Sequence, residues 1–97
     1  WGITLDSKGF VYVADWGNDR VQKFTGDGEY VQTFGSPAPR ELQLNHPSDV
    51  AVDSEGDVYV ADWGNKRVQI FDSHGEILTF LYGAATEFSK SAKEFKS

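Results

Sequence analysis

The sequence predicts an all-β protein built from two copies of one four-stranded antiparallel unit. Positions 1–35 and 48–82 lie 47 residues apart, and 17 of their 35 aligned residues are identical. Each copy contains four short apolar runs, separated by turns that carry Gly, Asp and Asn. A period of this length, with units made of short strands, is typical of repeat proteins in which each unit packs against its neighbours.

Composition limits the classes of function. The chain has 97 residues, of which 39% are hydrophobic, and this is enough apolar material for a compact core. A formal net charge of −6 predicts neither a nucleic-acid partner nor an anionic membrane partner. No segment approaches the roughly 18 consecutive apolar residues of a membrane span. The absence of cysteine excludes disulfides and thiolate metal sites.

The second copy shows the order of the predicted strands. Residues 50–52 form the first strand, and residues 53–56 supply the Asp and Gly of a tight turn. The remaining strands are predicted at residues 58–61, 67–71 and 77–81. Their apolar runs are nearly continuous rather than strictly alternating, which indicates a sheet that is covered on both faces.

A four-stranded antiparallel sheet packed between two similar neighbours is a blade of a β-propeller. We therefore predict blade 1 at residues 1–35, a connector at 36–47, blade 2 at 48–82, and a tail at 83–97 equivalent to the connector toward a following blade. The alternative for the tail is an amphipathic helix, because its apolar residues also fall at helical spacing.

Both copies carry one extended motif. In the second copy the motif consists of Pro47, Val50-Ala51-Val52-Asp53, Gly56, Val58-Tyr59-Val60-Ala61-Asp62, Asn65, Arg67-Val68-Gln69 and Phe71. The first copy matches it from Ile3 to Phe24, with Thr4 and Leu5 in place of Ala51 and Val52. The motif resembles the NHL repeat, whose domains are usually closed propellers of six blades. The resemblance implies an NHL-type blade in each copy.

Two blades do not close a ring, since closed propellers contain about four to eight blades. The outer face of each blade would leave apolar side chains in water, because a repeat unit does not bury its faces alone. With the blade number that the NHL resemblance implies, we expect a six-bladed ring that is completed in one of two ways. The chain is part of a longer protein, or three copies form a homotrimer with cyclic symmetry.

Chain direction places the loops of each blade. The second turn and the connector lie at one edge of an antiparallel blade, and in a ring this edge lies over the mouth of the central channel. The resulting candidate ligand-binding residues are Trp16, Trp63, Asp49, His46 and Arg40. Aromatic side chains are favoured anchors at binding surfaces. The alternative for each Trp is packing against the neighbouring blade or its own connector.

A set of polar residues recurs at the same loops. Its members are Asp15, Asn18 and Arg20 in the first copy, and Asp62, Asn65 and Arg67 in the second. Carboxylate and amide groups satisfy loop N–H groups, and arginine bridges within or between blades. We interpret the set as a structural signature of the repeat rather than as a ligand-binding rim.

These observations predict a non-enzymatic recognition scaffold that binds a protein, peptide or small ligand on the channel face, and they assign no catalytic residue, cofactor or metal. The acidic run at residues 53–57 lacks the spacing of a calcium loop, and a hairpin turn explains it. The alternative is a fragment of a metal-dependent propeller enzyme of the amidating-lyase or lactonase kind. The chain is similar to the amidating-lyase propellers, but Trp1 and Ser48 stand where that family places zinc-binding histidines. The catalytic residues of such an enzyme would lie on other blades.

Overall fold

Two four-stranded antiparallel sheets make up the computed structural model, which describes residues 2–35 and 42–82. The first sheet contains β1 (Ile3–Leu5), β2 (Val11–Asp15), β3 (Arg20–Phe24) and β4 (Tyr30–Phe34). The second contains β5 (Pro47–Val52), β6 (Val58–Asp62), β7 (Arg67–Phe71) and β8 (Ile77–Tyr82). Strands pair in chain order in both sheets, so the predicted all-β class with two propeller blades is confirmed. Candidate residue Arg40 and the predicted tail 83–97 lie outside the described residues.

An Asp-to-Gly turn joins the first two strands of each blade. Asp6 Oδ1 accepts the backbone N–H groups of Lys8 and Phe10 at 2.9 and 3.1 Å, and Asp53 accepts the same two bonds in blade 2. Gly9 closes the first of these turns with a φ of 87°, in the left-handed region that glycine adopts without steric cost. The Asp and Gly residues of the repeat thus set the tight hairpins.

One turn of 3₁₀ helix joins the second and third strands of each blade. These turns are Trp16–Asn18 and Trp63–Asn65, and each ends at a residue in the left-handed conformation, Asp19 with φ 54° and Lys66 with φ 53°. Trp16 and Trp63 open these two turns, and both are exposed to solvent. Within the described ranges, no helix is long and apolar enough to cross a membrane.

The two blades pack face to face, with β5 against β1 and β2. Phe34 and Phe71 meet edge to face across this interface, with ring centroids 5.6 Å apart. The buried core comprises Tyr12, Ala14, Val21 and Phe34 from blade 1, Leu44 from the connector, and Val50, Val58, Val60 and Phe71 from blade 2. Burial of this apolar surface is the main contribution to the association of the blades.

Each blade uses a different face for this contact. Blade 1 contributes Tyr12, whereas blade 2 contributes Val58, which is the repeat equivalent of Val11. Neighbouring residues of a strand point to opposite faces, so Val11 and Tyr12 lie on opposite sides of blade 1. We call the side of Val11 and Val58 the valine face, and the side of Tyr12 and Tyr59 the tyrosine face. The tyrosine face of blade 1 packs against the valine face of blade 2.

The valine face of blade 1 is uncovered among the described residues. Ile3 and Leu5 on β1 are 66% and 63% exposed. Their repeat equivalents on β5 are Val50, which is buried, and Val52, which is half-buried. The same positions of the repeat are therefore in the core in one blade and in water in the other.

Candidate binding face

The loops that carry the predicted ligand-binding residues lie at one edge of the two sheets. Trp16 follows β2, Trp63 follows β6, and His46 directly precedes β5. The ends of β2 and β6 lie beside the start of the strands with which they pair, because those pairs are antiparallel. Trp16 is 43% exposed and Trp63 is 64% exposed. The edge thus presents two tryptophans to solvent.

Trp16 and His46 are in direct contact at this edge. Their ring centroids lie 4.2 Å apart, with the planes tilted by 58°. The backbone N–H of His46 donates to Asp19 Oδ1 at 2.8 Å, and Nδ1 of its ring contacts Asn45 Oδ1. His46 has a φ of 53°, which residues other than glycine rarely adopt. The Asp19 bond and the Trp16 contact therefore hold a strained residue in place.

The other predicted ligand residues are not part of this pair. Trp63 makes no ring contact within the ranges that the structure describes. Asp49 is exposed, and its Oδ1 accepts the N–H of Val50 at 2.9 Å. The Asp49 main chain also lies close to Gly2, where an added Cβ would be 2.5 Å from the Asp49 Cα. Trp16 and His46 are thus the two candidates that the fold brings together.

The recurrent polar set of blade 2 forms a buried hydrogen-bonded group. Asp62 Oδ2 accepts bonds from Arg67 Nε at 2.7 Å, Asn65 Nδ2 at 2.9 Å and Gln69 Nε2 at 3.1 Å. The side chains of Asp62 and Arg67 are 0% and 8% exposed. Burial alone lowers the pKa of Arg67, but its hydrogen bonds and charge interactions with Asp62 and Tyr82 together outweigh burial and raise that pKa. A charge at this depth is tolerated because it is paired with an opposite charge to which it is hydrogen-bonded.

This group binds the main chain of the connector through hydrogen bonds. Arg67 Nη2 and Asn65 Nδ2 both donate to the Gln43 carbonyl at 3.1 Å. Asp62 Oδ1 accepts the N–H of Asn45 at 2.7 Å. All three bonds involve the backbone of the bound segment. We call the set Asp62, Asn65, Arg67 and Gln69 the clamp of blade 2.

Two further contacts complete the clamp of blade 2. Gln69 Nε2 donates to the Leu42 carbonyl at 3.1 Å, and the N–H of Gly64 donates to the Asn45 carbonyl at 2.7 Å. An added Cβ at Gly64 would lie 2.6 Å from that same carbonyl oxygen, so the close approach requires glycine. Leu44, between the two bonded segments, is 3% exposed and belongs to the core. The clamp therefore fixes both the path of the connector and the insertion of its leucine.

The repeat places the same residue types in the clamp of blade 1, which consists of Asp15, Asn18, Arg20 and Gln22. Arg20 Nε donates to Asp15 Oδ2 at 3.0 Å, and Asn18 Nδ2 lies 3.1 Å from the same oxygen. The side chains of Arg20 and Asp15 are 38% and 27% exposed. In the described part of the chain, these four side chains make no hydrogen bond outside their own set.

Sequence reasoning grouped the Asp, Asn and Arg of these clamps but missed two members. Gln69 bonds both Asp62 and the connector, and Gly64 admits the connector backbone. Both residues are identical in the two copies, as Gln22 and Gly17, and this identity was the available signal. Nothing in the spacing indicated that the segment bound would be main chain.

A cleft between the blades opens at the opposite edge, beside the first turns of both blades. Tyr12 Oη donates to Asp6 Oδ2 at 2.9 Å within it. Burial raises the pKa of Asp6, but the bonds from Tyr12 and the turn N–H groups outweigh it, so that the pKa lies below the usual value. Burial and the Asp6 bond raise the pKa of Tyr12. Lys23 Nζ lies 4.4 Å above the Phe10 ring.

Three carboxylates cluster in the first turn of blade 2, and two of them, Asp53 and Glu55, line this cleft. Asp53, Glu55 and Asp57 each place an oxygen within 4.8 Å of the others. The turn itself accounts for the position of Asp53, because its Oδ1 accepts two backbone N–H groups as Asp6 does in blade 1. This agrees with the interpretation of residues 53–57 as a hairpin turn.

The sequence model of the NHL repeat matches residues 1–24 and 44–71. The two segments together make up more than half of the 97 residues, and each covers the first three strands of one blade. The chain belongs to the NHL-repeat family. The clamps of this NHL chain both fall within the matched segments. No curated protein sequence matches the NHL chain significantly.

Solved structures of propeller enzymes share the fold of the NHL chain. Virginiamycin B lyase from Staphylococcus aureus superposes with a TM-score of 0.67 at 19% identity, over 88% of this chain and 27% of that chain. A streptogramin B lyase gives a TM-score of 0.67 at 17% identity, over 90% and 27% of the two chains. The NHL chain thus spans about a quarter of the length of these structures. At such low identity the likeness shows the fold alone.

Proposed function

We propose that this NHL chain is a non-enzymatic recognition scaffold that binds a peptide or protein segment at its loop edge. The contact between Trp16 and His46 carries the proposal. Both rings are partly exposed, and the bond from the His46 N–H to Asp19 holds the histidine beside the tryptophan. A preorganised aromatic pair binds a ligand at a smaller cost in conformational entropy than a mobile one. Tryptophan is also among the residues that contribute most to binding at interfaces.

Charge favours a cationic ligand group at this edge. Asp19 is about half exposed beside His46, and Asp49 is exposed at the start of β5. The whole chain carries a formal charge of −6. A lysine or arginine side chain over the Trp16 ring would gain a cation–π interaction as well as attraction to these carboxylates. We therefore expect basic peptides to bind better than acidic ones.

Titration of ¹⁵N-labelled protein with a Lys/Phe-containing heptapeptide tests this proposal, with a Glu/Phe heptapeptide as the matched probe. We expect shifts at the Trp16 indole N–H and the His46 amide with the basic peptide, and at least a tenfold weaker response with the acidic one. Trp16→Ala should abolish the response, whereas Trp63→Ala should reduce it less. Equal binding by wild type and Trp16→Ala would contradict the proposal.

We also propose that three copies complete a six-bladed ring. The uncovered valine face of blade 1 is equivalent to the face of blade 2 that packs against Tyr12. A second copy can present the tyrosine face of its own blade 2 to that surface, and the contact repeats head to tail. Light scattering should then give a mass near three times the 10.8 kDa of one chain. A mass of one chain at all concentrations would contradict the assembly.

The alternative prediction, a fragment of a propeller enzyme, stays a prediction. The lyases that share the fold are less than 20% identical to this chain. Stoichiometric zinc or calcium in the purified protein would favour the enzyme and count against the recognition scaffold.

A further inference from the structure

We infer that the clamp of blade 1 is a binding site for main chain, and that its ligand is the segment following β8 of a second copy. This inference rests on the proposed assembly and names the residues that would receive the partner copy. It reassigns Asp15, Asn18 and Arg20 from internal support of the repeat to recognition of an incoming chain.

The clamp of blade 2 shows what chemistry such a site binds. It takes two backbone carbonyls, those of Leu42 and Gln43, and one backbone N–H, that of Asn45. The residue between them inserts its side chain into the core between the blades. The ligand is therefore an extended segment with an apolar side chain at its third position. Because the bonds are to backbone atoms, the rest of its sequence is weakly restricted.

The clamp of blade 1 contains two of the three internal bonds that Asp62 accepts in the clamp of blade 2. Its carboxylate holds Arg20 Nε at 3.0 Å and Asn18 Nδ2 at 3.1 Å, as Asp62 holds the equivalent groups. Among the described residues, the Arg20 Nη groups, one Asn18 N–H and the Gln22 amide make no hydrogen bond. These groups are therefore available to a ligand. A planar guanidinium held at Nε presents its remaining donors in a fixed geometry, which suits a backbone carbonyl.

Gly17 supplies an independent observation. Its φ does not lie in the left-handed region, and an added Cβ would have no described atom within 4 Å. Neither backbone conformation nor a described neighbour requires glycine there. At the equivalent Gly64, the Asn45 carbonyl of the bound connector fills that space. The glycine of blade 1 thus leaves room for a main chain at the place where blade 2 holds one.

The second copy is the occupant that fits both this clamp and the surface beside it. Residues 83–97 follow β8 as the connector follows β4. In the observed interface, the tyrosine face of blade 1 packs against the valine face of blade 2. The connector that follows blade 1 binds the clamp of blade 2. The uncovered valine face with Ile3 and Leu5 adjoins the clamp of blade 1. A second copy would engage both surfaces at once, and each contact would raise the effective concentration for the other.

Sedimentation equilibrium of the 97-residue chain tests the inference through Gly17→Ala and Arg20→Ala. Both variants should keep the circular dichroism spectrum of the wild type at low concentration, because neither change creates a clash or a buried unpaired charge in the single chain. Each should weaken self-association at least tenfold. Lys8→Ala, at the opposite edge, is the matched control and should associate as the wild type does. A synthetic peptide of residues 36–47 should compete with assembly.

The possible outcomes distinguish the clamp inference from the proposed homotrimer. Wild-type assembly that Gly17→Ala and Arg20→Ala leave unchanged would overturn the clamp inference and retain the homotrimer. A wild-type chain that stays single at millimolar concentration and binds no peptide of residues 36–47 would overturn both. Peptide binding by a chain that does not self-associate would show that the clamp takes a segment from another source, and would overturn the second copy as its occupant.

Discussion

Arg67 Nε lies 2.7 Å from Asp62 Oδ2 with both side chains buried, whereas the repeat-equivalent Arg20 and Asp15 lie 3.0 Å apart and are partly exposed. The two pairs consist of the same residue types, and each joins Nε of the arginine to Oδ2 of the aspartate. Only the pair in blade 2 is covered by the connector that it binds. The molecule therefore contains the same type of ion pair twice, once partly exposed and once covered by a bound segment.

This difference predicts unequal effects of removing each arginine. Arg67→Ala leaves the fully buried Asp62 carboxylate without its ionic partner, and we expect a loss of about 3–5 kcal/mol in the free energy of unfolding. Arg20→Ala removes a partly exposed pair and should cost at most about 1 kcal/mol. Urea denaturation at a concentration where the chain is single measures both. Equal losses would show that the connector does not change the energetics of the clamp.

The glycine that follows β4 should be sensitive to substitution for two reasons. Gly35 has a φ of 85°, and an added Cβ would lie 2.5 Å from Leu44 Cδ1. Gly28 has a φ of 93°, but an added Cβ there would contact no described atom. Gly28→Ala should therefore lower the free energy of unfolding by about 1–2 kcal/mol through backbone conformation alone. Gly35→Ala should cost a further 1–3 kcal/mol or so, because it displaces a core leucine. Thermal unfolding of the two variants measures the difference, and equal melting temperatures would refute the clash.

The bond between Tyr12 and Asp6 predicts how stability depends on pH. The pKa of Asp6 is lowered in the folded state, so its contribution is present above about pH 4, the unfolded value, and is lost as the pH falls through the folded pKa. The pKa of Tyr12 is raised, so its contribution is present below about pH 10 and is lost as the pH rises above that value. Tyr12→Phe should reduce the pH dependence of the unfolding free energy in both the acidic and the alkaline range. An unchanged pH dependence in the acidic range would show that this bond does not lower the Asp6 pKa.

Asp19 should stabilise the loop edge through its carboxylate oxygen and its backbone. It accepts the His46 N–H and adopts a φ of 54°. Asp19→Asn keeps an acceptor and a residue type that tolerates the left-handed region, so its stability should stay close to that of the wild type. Asp19→Ala loses both features and should cost about 1–2 kcal/mol. The amide exchange rate of His46 should rise in the alanine variant alone, and a rise in both variants would contradict this role of the oxygen.

Local chemistry made the blades predictable. The Asp and Gly of each first turn and the Val-Tyr-Val-Ala runs are signals within a few residues, and the period of 47 residues repeats them in the second copy. Such signals specify strands, turns and their order without knowledge of the tertiary fold.

The environment of each copy was not predictable in this way. Asp15 and Asp62 have the same neighbours in sequence, yet only Asp62 is buried, because a connector about 17 residues earlier returns to it. The left-handed conformation of His46 depends on Asp19, which is 27 residues away. Contacts between distant segments decide these features, and the residues that the two copies share do not show which copy makes those contacts.

The use of opposite faces by the two blades gives the molecule a direction. A two-fold symmetric dimer would have to pair a face with itself, and neither the valine face nor the tyrosine face is the partner of its own kind. In the proposed assembly, copies would therefore add in one direction only, and the last copy would bind the first. The number of subunits would then depend on the angle between adjacent blades and not on the strength of any single contact. A substitution that altered that angle would convert such a ring into an open-ended fibre without weakening the interface.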